Sequence, residues 1–169
     1  MPSALLTTGT GSLAALLLCT ALVAGSARPS AAHNHGLSLQ VVLNGADAPI
    51  SYDLDAMRAM PHHDIHTSTP WTDGVQHFRG IPLSALLGDT PDDHDIYLRA
   101  INDYTVTMPF SAVSGDYPIV AYEHNGSAMS VRDKGPYWLI FPFDMAPEFR
   151  TDSAYSRSVW QLVRIEVMP

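Results

Sequence analysis

The sequence predicts an α+β fold in which strands dominate. Three observations predict it. Short segments alternate apolar and polar residues at period two along much of the chain. Gly (11) and Pro (13) are frequent, which suits many turns and excludes a helical bundle. The helix-like stretches are brief and each runs into a Gly or Pro. Hydrophobic residues are 46% and charged residues 15% of 169, so a single domain with a real core is expected rather than a disordered chain.

The elements follow in order. Residues 37–43 alternate and read as the first strand, closed by a turn at Asn44-Gly45. Ser51 is placed to cap a short helix with Asp53 and Asp55 in its first turn, ending before Pro61. Residues 65–71 are rich in threonine and read as extended, after which Asp73-Gly74 turns the chain. Residues 84–87 form a short helical piece stopped by Gly88. Ile96, Leu98 and Ala100 alternate with Tyr97, Arg99 and Ile101. Tyr104, Val106 and Met108 alternate with Thr105 and Thr107, and Asn102-Asp103 between the two runs suggests a hairpin. Residues 118–122 read as another strand before the Asn125-Gly126 turn. Residues 137–141 are continuously apolar, as in a buried strand, and residues 159–167 close the chain as the last strand.

At the N-terminus, residues 13–23 are an apolar run, too short to span a bilayer, which needs about 20 residues. Gly25-Ser26-Ala27 and Ser30-Ala31-Ala32 follow as small-residue cleavage sites. Residues 1–27 therefore read as a secretory signal peptide, with cleavage as late as residue 32, leaving a domain over 37–169. No Lys or Arg precedes the run, so an uncleaved N-terminal helix is the alternative. The reading predicts a periplasmic or secreted protein with no stable membrane anchor after cleavage. The single cysteine, Cys19, lies inside the segment, so the mature domain has no disulfide and no thiolate metal site. A formal charge of −8, with Lys134 as the only lysine, excludes nucleic acid and anionic lipid as primary partners.

Four groups of residues are candidates for chemistry. His62, His63 and His66, with His77 beyond them, have the residue type of a copper or zinc site, yet Pro61 and the β-branched residues after Asp64 argue against the helix that would converge them. Cleavage after Ala32 would start the chain at His33-Asn34-His35, and an α-amine with a third-position histidine binds Cu(II) in a square plane. Arg132 and Lys134, in Ser130-Val131-Arg132-Asp133-Lys134-Gly135-Pro136, would share one face of a strand and suit a bound anion. The alternative pairs them with Asp133 and Asp103. In Thr67-Ser68-Thr69-Pro70-Trp71, the hydroxyls and the indole suit a pocket wall, while Trp71 equally suits the core. There is no Gly-x-Ser-x-Gly elbow, no phosphate loop and no dinucleotide fingerprint, so hydrolase and nucleotide chemistry are unsupported.

Several stretches, taken in order, resemble the molybdopterin-binding domain of the sulfite oxidase type. They are Phe78-Arg79-Gly80-Ile81-Pro82-Leu83 with Leu86-Leu87, then Ala100-Ile101-Asn102-Asp103-Tyr104, then Ala121 with Asn125-Gly126 and Met129. Gly135-Pro136 with Pro142, and the closing run from Val159, complete the set, which covers most of residues 39–167. Thr67-Ser68-Thr69-Pro70-Trp71-Thr72-Asp73-Gly74 and Arg132-Asp133-Lys134-Gly135-Pro136 are similar to a subgroup of small exported bacterial proteins of that family. The resemblance implies the sulfite-oxidase-type fold and makes molybdopterin the one cofactor to consider. It also implies a groove with Thr67, Thr69 and Trp71 on one wall, Asn102, Asp103 and Tyr104 on the opposite turn, and Arg132 and Lys134 as anion contacts. The family's molybdenum-ligand cysteine would fall at about residues 62–71, where this sequence has none. Three readings follow. The first is a binding or accessory module for a small anionic or pterin-like ligand or a partner protein. The second is an oxidoreductase that holds molybdopterin without a cysteine, and the third is a histidine-based copper or zinc protein.

Overall fold

The computed structural model describes residues 36–169. The expected signal peptide, Cys19, His33 and His35 lie outside the described residues. Strands are β1 (Leu39–Val42), β2 (Ile50–Tyr52), β3 (His63–Ser68), β4 (Val75–Pro82), β5 (Asp95–Ala100), β6 (Thr105–Pro109), β7 (Ile119–His124), β8 (Ser127–Ala128), β9 (Trp138–Ile140) and β10 (Leu162–Met168). Helices are α1 (Leu54–Ala59), α2 (Leu83–Leu87) and α3 (Asp152–Arg157), with 3-10 turns at Phe110–Ala112, Val131–Asp133 and Pro147–Phe149. The fold is strand-dominated α+β, built from two sheets.

The first sheet runs β2-β1-β10-β5-β6, with β1 parallel to β10 and every other pair antiparallel. The second runs β3-β4-β7-β8, and β9 pairs with β7. Leu39 and Val41 of β1, Ile96 and Leu98 of β5 and Ile165 of β10 point inward, as their period-two pattern requires. They join Ile81, Val120 and Leu139 from the second sheet and Met57 and Leu86 from α1 and α2 in one core. Ile65, Phe78, Ile119, Ala121, Trp138 and Ile140 form a second cluster. Strand β7 contributes to both clusters, so Ile119, Val120, Ala121 and Tyr122 are all buried and the strand reads as continuously apolar.

Strand β9 ties the sheets together. Trp138 pairs with Ala121 of β7 on one side and bridges to Trp160 on the other. Leu139 N–H donates to the Val159 carbonyl at 3.0 Å, and Leu162 N–H donates to the Tyr137 carbonyl at 2.9 Å. The Trp138 indole N–H, buried, donates to the Ser158 carbonyl at 3.2 Å. These bonds leave few backbone groups of the seam unpaired.

The structure corrects four expectations. Ser51 lies in β2, and the cap of α1 is Asp53, whose carboxylate accepts the Ala56 N–H at 2.8 Å. Arg132 and Lys134 are not on a strand, because Ser130 accepts the Asp133 N–H and starts a 3-10 turn that ends with Lys134 at φ 70°. The extended run expected over 65–71 stops at Ser68. Strand β4 and helix α3 were not expected at all: β4 carries His77, Arg79, Gly80 and Pro82 within it, and α3 is polar and short.

Gly80 follows a register shift in β4, and a Cβ there would fall within the Val120 carbonyl and the Ala121 backbone. Both obstacles are main chain of a buried strand and have nowhere to move. Gly80→Ala is expected to lose on the order of 3 kcal/mol of stability in chemical denaturation. An unchanged midpoint would show that β4 and β7 have freedom the fold does not display.

A tryptophan cleft as the candidate functional site

The three tryptophans of the chain meet at one end of the seam. Trp71 is the hub: its ring lies 5.9 Å from Trp138, 5.5 Å from Trp160, 6.2 Å from Tyr155 and 6.3 Å from Phe143, mostly edge to face. A local device puts it there. After β3 ends, the Thr69 hydroxyl accepts the Trp71 N–H at 3.1 Å and meets the Thr72 hydroxyl at 2.8 Å. That turn, a common threonine habit, swings the indole inward while Pro70 stays exposed.

Beside the hub opens a cleft of about 380 Å³. Trp71, Trp160, Tyr104 and Tyr155 are its aromatic walls, and Asn102, Ser156 and Ser158 supply polar atoms. Its volume and its mostly apolar lining with a few polar groups match a small-molecule site. Each wall is locked separately. Asn102 Oδ1 accepts the Tyr104 N–H at 3.2 Å, and Asp103 takes φ 62° to close the hairpin between β5 and β6. The Tyr104 hydroxyl donates to the Ser156 carbonyl on α3 at 3.2 Å. Thr151 caps α3 by accepting the Ala154 N–H at 3.2 Å. The Ser158 hydroxyl donates to the Ala154 carbonyl at 2.9 Å, so the residue is buried with its polar groups satisfied.

Among the described residues no charged side chain lines the cleft. One stands next to it: the Lys134 ammonium is 5.9 Å from the Trp160 ring centroid and 5.7 Å from that of Trp138. Those distances are cation–π range. The Lys134 carbonyl accepts the Gln161 N–H at 2.9 Å, and Gln161 Nε2 donates to the Val131 carbonyl at 2.7 Å, which ties the 3-10 turn to the strand leaving Trp160. A Cβ on Gly135 would fall on the Met129 carbonyl, so this approach needs glycine.

The expected site residues therefore separate. Trp71, Asn102 and Tyr104 line the cleft, and Lys134 reaches it through Trp160. Asp103 is exposed, 3.9 Å from Arg99. Arg132 is exposed on its turn, makes no ion pair among the described residues and lies outside the cleft lining. Thr67 is buried and accepts the Asp144 N–H at 3.0 Å, while Thr69 faces a second hollow with Ser68, Asp144 and Arg150. There the Ser68 backbone N–H, then the Ser68 hydroxyl and Arg150, hold the Asp144 carboxyl below its usual range. Tyr155, Ser156, Ser158 and Trp160 were not expected. The only signal was Trp160 itself, a large aromatic at the start of the closing strand.

The histidines do not converge. His63 and His66 are three apart on a strand and face opposite sides. His63 Nε2 lies 3.2 Å from the Tyr117 hydroxyl, and His66 stacks on His77 at 4.5 Å. His62 is exposed. Among the described residues no three His, Cys, Asp or Glu side chains are arranged to hold a metal ion. Asp64 instead bonds His77 at 2.8 Å and Arg79 at 2.9 Å, and chiefly the Arg79 bond lowers its carboxyl to about 2. No family model and no curated protein matches this chain.

One titrating group underlies the cluster. His124 stacks on Phe78 at 4.8 Å, lies edge-on to Trp138 at 6.5 Å and donates from Nε2 to Gln76 Oε1 at 2.8 Å. Burial, and then the Lys134 charge, push its pKa below the ordinary 6.5. A depressed histidine makes the unfolded chain bind more protons, so its stabilising contribution is present above 6.5 and is lost as pH falls through the folded value. Thermal unfolding between pH 7.5 and 5 is expected to fall in midpoint with acidification, and His124→Gln to flatten that slope (pH values approximate). An identical slope in the variant would remove His124 from the account.

Proposed function

We propose that the domain is an exported binding or accessory module with the sulfite-oxidase-type molybdopterin-binding fold. Its tryptophan cleft takes a small planar anionic or pterin-like ligand. One observation carries this reading: a neutral cleft walled by Trp71, Tyr104, Tyr155 and Trp160 has the single lysine ammonium of the chain resting on one of its walls. Flat heterocycles stack on indole faces. Asn102 Oδ1 is engaged by Tyr104, which leaves the amide N–H groups to donate to a ring carbonyl or nitrogen. Lys134, carried on an acidic chain, supplies the charge that favours an anionic substituent. The signal-peptide pattern of residues 1–27 supports a periplasmic or secreted location for the module, with a small ligand or a periplasmic protein as its partner.

The donor set does not fit a molybdenum centre held by a protein thiolate. Residues 62–71 contain no cysteine, and the best-placed hydroxyl, Thr67 Oγ1, is buried and bonded to Asp144 N–H and the Ser68 carbonyl. No redox step is therefore derived, and the pterin-like ligand of this proposal is a bound molecule rather than a metal carrier.

The test titrates the full mature protein with pterin-6-carboxylate, a planar anion, and follows tryptophan emission. Saturable quenching is expected. Trp160→Ala should weaken binding by roughly tenfold or more, and Lys134→Ala by roughly threefold to tenfold. Arg132→Ala should leave it nearly unchanged. Absence of saturable quenching, or equal binding by Trp160→Ala, would sink the cleft as the ligand site. A second prediction concerns metal content. Elemental mass spectrometry of protein from the exported fraction is expected to find molybdenum far below stoichiometry, and stoichiometric molybdenum would restore the oxidoreductase reading.

A further inference from the structure

The outer face of the β2-β1-β10-β5-β6 sheet carries a row of polar residues set by the pairing register. Ser51 opposes Gln40, Gln40 opposes Arg164, Arg164 opposes Arg99 and Arg99 opposes Thr105. All five point away from the core, whose inward positions on the same strands are Leu39, Val41, Leu98 and Ile165. At the centre of the row two arginines stand directly opposite each other on neighbouring strands. Like charges so placed repel, and an anion between them would relieve that repulsion.

Protein carboxylates do this incompletely. Glu166 holds Arg164 through one oxygen, which accepts from Nε at 3.0 Å and from a terminal nitrogen at 2.8 Å. Asp103 is 3.9 Å from Arg99, at the limit of an ion pair, and is itself largely exposed. The Nε of Arg99 is buried and has no hydrogen-bond partner among the described residues. A buried guanidinium N–H without an acceptor is costly, and neither carboxylate on this face supplies one, while the Arg99 side chain as a whole is 42% exposed.

We propose that this face is an oxyanion-binding site in which Arg99 and Arg164 clamp a phosphate-type group, free or carried on a larger molecule. The planar guanidinium fork suits tetrahedral oxyanions, and paired forks on adjacent strands suit them better than one. Thr105 stands at the Arg99 end of the row and extends it with a hydroxyl. The site belongs to the first sheet's solvent face and shares no residue with the tryptophan cleft, so it stands or falls independently of the ligand proposed there.

The test measures binding of inorganic phosphate and of phenyl phosphate to the full mature protein by calorimetry, with chloride at matched ionic strength as control. Saturable binding of at least one is expected. Arg99→Gln and Arg164→Gln should each weaken it by roughly tenfold. Glu166→Gln should tighten it, because it removes the carboxylate that competes for Arg164. That gain cannot come from a variant that fails to fold. Tighter phenyl phosphate would assign a phosphoryl group on a larger molecule, and tighter inorganic phosphate the free ion. No binding beyond chloride, or binding unchanged in Arg99→Gln, would overturn the proposal.

Discussion

Trp138 belongs to two sheets at once, and the candidate site exists because it does. Its backbone pairs with Ala121 in one sheet and bridges to Trp160 at the entry to β10 in the other. Its indole N–H reaches the Ser158 carbonyl, in the connection that leads from α3 to Trp160. A tryptophan buried on all sides must place its one donor, and here that donor fixes the segment that forms one wall of the cleft. Trp71 then packs between Trp138, Phe143, Tyr155 and Trp160. The cleft is the space left where this aromatic cluster runs out into solvent, with Trp160 about a third exposed at its edge.

The parts of the fold that were legible in sequence share a physical property: their burial is set by the residues themselves. Strands β1, β5, β6 and β10 alternate because one face meets the core, and β9 is continuously apolar because it is buried on all sides. Strand β4 was hidden. Its partner β3 is the preceding strand of a hairpin, but β7 lies far away in sequence, and β4 carries His77, Arg79 and Gly80, which only its place between those partners makes sense of. Gly80 is in a strand because Val120 passes too close for a side chain, a fact about β7 rather than about β4. Helix α1 was placed correctly but started from the wrong cap. Ser51 and Asp53 are both good caps in isolation, and pairing of Ser51 with Gln40 in β2 decides between them.

The site divides along the same line. Trp71, Asn102 and Tyr104 were legible because local turns announce them: a threonine turn for the first, an Asn-Asp hairpin for the others. Tyr155, Ser156 and Ser158 come from a short polar helix that no pattern marks, and they reach the cleft only because the Tyr104 hydroxyl and the Trp138 indole hold that helix and the segment after it in place. Arg132 and Lys134 were expected to act together from one strand face. The Ser130 side chain instead starts a turn, and two residues that would have been neighbours on a strand go different ways. Lys134 meets two indoles and Arg132 meets solvent.

That divergence also sorts the electrostatics of the molecule. On a chain with 17 acids and 9 bases, most described arginines have a carboxylate within reach: Arg58 with Glu123, Arg79 with Asp64, Arg150 with Asp144, Arg164 with Glu166. Exposed pairs of this kind contribute little to stability, and their effect is to cancel charge locally. Lys134 is neutralised by no carboxylate within ion-pair distance among the described residues, and its ammonium rests on π faces, which attract a cation without cancelling it. Uncancelled charge is what an incoming anion senses, and an aromatic cleft is what a flat ring senses. The fold puts the two within one indole of each other by means of a left-handed residue, a glycine that lets two backbones touch, and a glutamine that bonds the turn to the strand. The left-handed residue is the lysine itself, and the glycine and the glutamine, which carry no chemistry of their own, hold it where it stands.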